Sequence, residues 1–217
     1  MILNLYKPKG ISSFNFISKA KRIFGYSKVG HAGTLDPLAE GVLIVLTDKD
    51  TKKQNDYTKQ NKVYVAEILL GAFSESFDLE KPLIFSEKAP QIQENQIREL
   101  LLSLHGELTL PAPVYSAKVI AGKRLYKYAK QGKIGNIEIP QVTSQITYLK
   151  LLEFSNLEVN NQSYPLIKIE ISCSSGTYIR ALANYLGEKL QTKGVLYSLV
   201  RTKVGDFEVE NSTKIAQ

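Results

Sequence analysis

The chain has 217 residues, 43% of them hydrophobic and 23% charged, with a formal net charge of +7. That is the balance of a soluble globular protein long enough to bury a real core, and its positive excess points to an anionic partner, nucleic acid before an acidic membrane surface. A single cysteine excludes an internal disulfide, and with only two histidines a structural zinc site is not expected. No apolar run is long enough to cross a bilayer, and the start has no basic-then-apolar leader layout, so a cytoplasmic protein is expected.

Taken in order, Ile2 to Tyr6 reads as a short strand and Lys7-Pro8-Lys9-Gly10 as a turn. Ser12 or Ser13 can then cap a helix that stops at Gly25. Phe14, Ile17, Ala20 and Phe24 fall at helical spacing and are expected in the core. The stretch Gly30 to Leu46, GHAGTLDPLAEGVLIVL, stands out. Asp36 is the first acidic residue of the chain, after five lysines and one arginine. The proline that follows it forces an extended backbone. The run from Val42 to Leu46 reads as a buried strand. Asp36 is therefore expected on a shaped loop at the lip of a sheet, where its side chain is presented. An isolated Asp-Pro is usually only a turn; the longer string is what carries meaning.

Thr47 to Gln60 is strongly polar and reads as a solvated helix or loop. Val63 to Leu70 is a strand with Tyr64, Ala66, Ile68 and Leu70 on one face. Gln96 to Leu104 is a helix that turns Ile97, Leu100, Leu101 and Leu104 to one side. From Leu108 to Ile137 there is no acidic residue. Lys118, Lys123, Arg124, Lys127, Lys130 and Lys133 lie there, interleaved with Tyr115, Tyr126 and Tyr128. Cations attract a phosphate backbone and aromatic faces accept bases. Ile146 to Val159 and Tyr164 to Cys173 form a hairpin about Asn160-Asn161-Gln162. Arg180 is the one charged residue between Glu170 and Glu188. An arginine on that apolar background must reach solvent or meet an anion. Thr177 or Ser175 can cap the helix that holds it, and Val195 to Arg201 is the last strand.

Several of these strings resemble the TruB family of tRNA pseudouridine synthases. They are the Lys-Pro-x-Gly opening, Gly30-His31-Ala32-Gly33-Thr34-Leu35-Asp36-Pro37-Leu38-Ala39, Lys62-x-Tyr64, Ser175-Gly176-Thr177-Tyr178-Ile179-Arg180 and Leu199-Val200-Arg201-Thr202. They cover nearly the whole sequence in the family's order. Glu75-Ser76-Phe77-Asp78 departs mildly from the family's Asp-Thr-x-Asp, and Pro111-Ala112-Pro113 departs from its Gln-x-Pro-Pro. The resemblance implies an α+β pseudouridine synthase fold: a long, curved, mainly antiparallel sheet flanked by helices, with the active-site cleft across it. It implies one catalytic domain over 1–217 with a thumb-like RNA-binding insertion at about 122–142; many members continue into a C-terminal PUA domain, but only ten residues follow Phe207 here, so none is expected.

The activity implied is conversion of uridine-55 in the T loop of tRNA to pseudouridine, by a monomer without cofactor or metal. By resemblance Asp36 is the catalytic group, and Arg180 pairs with it. Tyr64 packs on the target base, Tyr178 and Leu199 line the site, and His31 fills the stack left by the flipped base. Lys118, Lys123, Arg124, Lys127 and Lys130 are expected on the RNA backbone. Whether Asp36 attacks ribose, attacks the base or removes a proton stays open. So do two alternatives: an RNA-binding or RNA-folding protein without catalysis, and a synthase acting on another RNA.

Overall fold

The computed structural model describes residues 1–215, with the Asn136 side chain outside the described set. The chain opens on β1 (Ile2–Lys7) and turns into α1 (Ser13–Phe24). The Ser12 hydroxyl accepts from the Asn15 N–H, and Gly25 ends the helix at φ 72°, the left-handed cap that glycine adopts without penalty. The expected core face of α1 needs correction. Phe16, Ile17 and Ala20 are buried, whereas Phe14 and Phe24 are 71% and 41% exposed. Helical spacing allows either stripe. The rotation is decided by Ser13, whose hydroxyl donates to Leu35 O at 2.8 Å and accepts from Leu35 N–H at 2.9 Å.

β2 (Val29–Ala32) and β3 (Glu40–Thr47) enclose the Asp36 loop, so His31 and Ala32 of the motif lie in a strand. A 3-10 turn and α2 (Gln54–Thr58) take up the polar stretch. Next come β4 (Lys62–Leu70), β5 (Ala72–Phe73), β6 (Ile84–Phe85) and α3 (Glu94–Ser103). β7 (Gly106–Pro111), unforeseen in the sequence, alternates half-buried and exposed residues. β8 (Val119–Ile120), β9 (Lys123–Arg124) and α4 (Leu125–Ala129) form a small basic unit. β10 (Gln141–Val159) and β11 (Gln162–Cys173) make the long hairpin. Its turn holds Asn160 and Asn161 at φ 50° and 60°, the positive angles that a two-residue turn needs to match strand twist. α5 (Ile179–Lys189), β12 (Gly194–Val204) and β13 (Phe207–Glu208) follow. The expected Thr177 or Ser175 cap is absent. Tyr178 holds the N-cap position of α5, and Thr177 Oγ1 donates to Ser174 O instead.

The main sheet runs β1-β3-β12-β4-β11-β10-β7, with β2 on β3 and β13 on β12. Its pairs are antiparallel except β3 with β12, which run parallel at Val200–Glu40 and Arg201–Gly41. Gly41 permits that meeting: at φ +105° a Cβ there would lie 2.3 Å from Arg201 O. The larger core joins Ile68, Ile97, Leu101, Ile169, Leu182 and Leu186, sealing α3 and α5 onto the sheet. A second cluster packs Phe16, Ile17 and Ala20 of α1 on Leu5, Leu43 and Val45. The mainly antiparallel α+β architecture read from the sequence is the one observed.

Candidate active site

The middle strands β12 and β4, the start of α5 and residues 33–39 meet around one cleft. The loop that carries Asp36 is held from several directions. Lys7, with no exposed surface, donates from Nζ to Pro8 O at 2.9 Å, Pro37 O at 3.3 Å and Ala39 O at 2.7 Å. Burial drives the Lys7 pKa down to about 8, against the pull of Asp36 and Glu40. Ser13 grips Leu35 as above, and Arg201 Nη2 donates to Gly33 O at 3.0 Å. Backbone and side-chain anchors thus leave the Asp36 carboxylate little freedom.

Arg180 answers the question posed by its apolar surroundings. It is 3% exposed and lies between two carboxylates. Its Nε is 2.8 Å from Asp36 Oδ2 and 3.5 Å from Asp78 Oδ2. The approach is off the N–H axis, so it is an ion pair rather than a linear hydrogen bond. The outer nitrogens are used elsewhere: Nη1 donates to Ser76 O at 3.0 Å and Nη2 to Tyr115 O at 3.3 Å. One guanidinium therefore ties the Asp36 loop to two segments remote in sequence. The Asp36 side chain is 39% accessible and lies in the wall of the cleft. Burial is the largest influence and raises its carboxyl pKa; Arg180 opposes it, Asp78 adds to it, and Lys7 opposes it. The result is a carboxylate set above its ordinary range beside a fixed positive charge.

The cleft has a volume of about 270 Å³, near the low end of small-ligand pockets, and Asp36, Tyr64, Tyr178, Arg180, Leu199 and Arg201 are among its walls. Five of the residues expected at the site are thus brought together. Tyr64, 8% exposed, has its phenol pushed up by burial, with the Arg201 charge opposing. His31 stands on β2 outside the lining. Its Nδ1 is buried without a hydrogen-bond partner among the described residues, and burial followed by the Arg201 charge lowers its pKa. Lys118, Arg124, Lys127 and Lys130 are exposed and Lys123 half-buried. They follow directly on Ser116 and Ala117, which line the cleft. Lys123 Nζ lies 4.6 Å over Tyr128 and Lys130 Nζ 5.8 Å over Tyr126.

Sequence reasoning left Asp78, Lys7, Lys62 and Arg201 without roles. All four lie within the strings that resemble the family's motifs. Among the described residues, no group of three or more His, Cys, Asp or Glu side chains is placed to hold a metal ion.

Comparison with known proteins agrees with this architecture. A family model described as TruB family pseudouridylate synthase (N terminal domain) matches residues 21–179. A protein of Dehalococcoides mccartyi named tRNA pseudouridine synthase B is 38% identical over 215 residues, covering 99% of this chain and 68% of its own. One of the same name from Clostridium tetani is 36% identical over 214 residues, covering 99% of this chain and 71% of its own. Among solved structures, a Cbf5-Nop10-Gar1 complex contains a chain with TM-score 0.71 and 24% identity, matched over 99% of this chain and 52% of that one. An H/ACA RNP bound to a substrate RNA containing 2'-deoxyuridine gives TM-score 0.67 and 23% identity, over 98% and 50%. This chain thus spans about half the length of those solved chains, and at such identity the likeness concerns the fold. The family model and these relatives place a chain of this fold in the pseudouridine synthase class, an isomerase class. The chain belongs to the TruB family of pseudouridylate synthases.

Proposed function

We propose that this chain isomerises uridine-55 in the T loop of tRNA to pseudouridine, with Asp36 as the catalytic group. The observation that carries the reading is the Asp36–Arg180 ion pair at 2.8 Å in a cleft walled by Tyr64 and Leu199. The reaction breaks the bond from ribose C1′ to uracil N1 and makes one from C1′ to C5. A carboxylate can serve as nucleophile or base only while ionised. Arg180 favours that state, and burial with Asp78 opposes it, so Asp36 is kept reactive rather than inertly salt-bridged. A uracil stacked in a folded loop must be flipped out, at a cost of a few kcal/mol. Tyr64 offers it an aromatic face, Leu199 an apolar one, and Tyr178 closes the wall. His31, on the strand leading to the loop, is read as the group that takes the place of the flipped base. Lys118, Lys123, Arg124, Lys127 and Lys130 are read as the backbone grip of a thumb at about 122–142.

Tyr64 and Leu199 together favour catalysis over simple RNA binding, because a stacking floor beside an ion-paired carboxylate serves a single extruded base. The relatives' name, tRNA pseudouridine synthase B, supports tRNA over other RNA. The test is incubation with unmodified tRNA and with a T-arm hairpin, followed by mapping of pseudouridine. Modification at position 55 is expected in both. RNA bound without any isomerisation would favour the binding-protein alternative, and modification only of a different RNA would favour the other.

A further inference from the structure

A second buried guanidinium borders the cleft, and it has no carboxylate beside it. Arg201 is 1% exposed and Lys62 4%, yet both line the cavity. Arg201 Nε donates to Val42 O at 2.7 Å and Nη2 to Gly33 O at 3.0 Å. The Lys62 ammonium donates to the carbonyls of Thr58 and Gln60. All four acceptors are neutral. Among the described residues the ion pairs include neither cation, whereas Arg180 has Asp36 and Asp78. The two cations are also neighbours: a Cβ built on Gly33 would lie 3.4 Å from Arg201 Nη1 and 3.6 Å from Lys62 Cε. Desolvating such ions is costly, and neutral partners, these carbonyls and the Tyr64 hydroxyl beside Arg201, offset little of it. Burial first and then Arg201 bring the Lys62 pKa down to about 8. Unbalanced charge of this kind suits a place where an anion arrives or develops.

The position says which anion. Arg201 is the register partner of Tyr64 on the adjacent strand, and Lys62 lies two residues before Tyr64. Both charges therefore sit at the Tyr64 end of the cleft. Arg201 is too deeply buried for an in-chain phosphate, which carries a ribose on each side and stays at the mouth. Only a base turned out of its stack reaches that depth. We propose that Lys62 and Arg201 form the counter-charge for the uracil ring while it is detached from the ribose.

This rests on the isomerisation reading above. When the C1′–N1 bond breaks, its electron pair goes to the ring, which becomes an anion delocalised over N1, O2 and O4. The electron-deficient ribose is satisfied at Asp36, by a bond to the carboxylate or by transfer of a ribose proton to it. When C5 bonds to C1′ the ring's electrons form that bond, Asp36 is freed by leaving as the carboxylate or by returning the ribose proton, and C5 gives up its proton while N1 gains one. No oxidant or co-reactant is consumed. Preorganised positive charge aimed at the ring stabilises the separated state more than the bound uridine, which is what accelerates the step.

The experiment uses the full chain and two T-arm hairpins, one with uridine and one with 5-fluorouridine at the target. Fluorine stabilises the ring anion, so the second substrate needs less help. Glycosidic-bond breakage is read as loss of the starting nucleoside after nuclease digestion. Lys62→Met should lower kcat on uridine roughly 100-fold, with KM little changed, and the loss on 5-fluorouridine should be much smaller. Arg201→Gln should behave alike, and Arg201→Lys should recover part of the loss. If Arg201→Gln does not fold, the melting temperature shows it, and Lys62→Met carries the comparison. Equal losses on both substrates would mean a structural role and overturn the proposal. A loss confined to KM, with a shallower salt dependence, would mean a phosphate contact and also overturn it. A wild-type chain that breaks no glycosidic bond in tRNA or hairpin would remove the isomerase reading and this inference with it. An active wild type with indifferent variants removes the inference alone.

Discussion

The Asp36 loop lines the cleft and the basic unit at 118–135 follows directly on Ser116 and Ala117 of its wall, yet the two are held in opposite ways. Hydrogen bonds around the loop reach across the chain: Arg180 to Ser76 spans 104 positions and Arg201 to Gly33 spans 168. Those within the basic unit are local: Lys123 to Gln131 and Tyr128 to Ile120 each span 8. Its cations sit on their own tyrosines, and its apolar anchor is Leu125, fully buried. A group that must be set to a fraction of an ångström is fixed by the whole fold. The surface proposed to follow an RNA backbone is fixed mainly by itself. Changes in the loop should therefore act on the chemical step, and changes in the basic unit on affinity.

The largest effect is expected for Asp36→Asn, which keeps size and removes the charge. Turnover of a T-arm hairpin should fall by roughly 10⁴-fold or more, while gel-shift affinity stays near wild type. Turnover near wild type would end the assignment of Asp36.

Arg180→Lys comes next. It keeps the charge but loses the planar fork that reaches Ser76, Tyr115 and the carboxylates together. A loss in kcat on the order of 100-fold is expected, with circular dichroism unchanged. An unaltered rate would show that the ion pair does not matter to chemistry.

Asp78→Asn should produce a smaller change with a definite sign. The Asp78 charge raises the Asp36 carboxyl, so removing it lets that carboxyl ionise at lower pH. The acid limb of the pH–rate profile, lying above the usual carboxylate range in wild type, should move to lower pH in the variant. Turnover then persists further into acid. A limb that stays in place or moves upward would contradict the coupling.

The smallest effect on kcat is expected for Lys127→Glu with Lys130→Glu. Binding should weaken and its log–log salt dependence should become shallower, by roughly 0.7 to 0.9 for each phosphate that is no longer neutralised. The uridine modified should not change. A fall in kcat at saturating RNA would place the basic unit in the chemical step and erase the contrast between the two regions.

Local chemistry determined much of this protein. The alternation about Tyr64, the apolar run after Gly41, the Asn160-Asn161 turn and the Gly25 stop depend on neighbours in sequence, and each formed the element expected. The Asp36 string was legible for the same reason, since its proline and glycines shape the loop locally. Arg180 could be seen to need either solvent or an anion because its neighbours offered neither. The motif resemblance named Asp36 as its partner, and only the tertiary structure brought Asp78 to the same guanidinium. It also chose the buried stripe of α1, because the rotation of that helix depends on Ser13 meeting Leu35, 22 positions away. The same holds for Lys7, Lys62 and Arg201. A cation's burial and its partners are properties of the space between strands, and nothing adjacent to it in the chain encodes them.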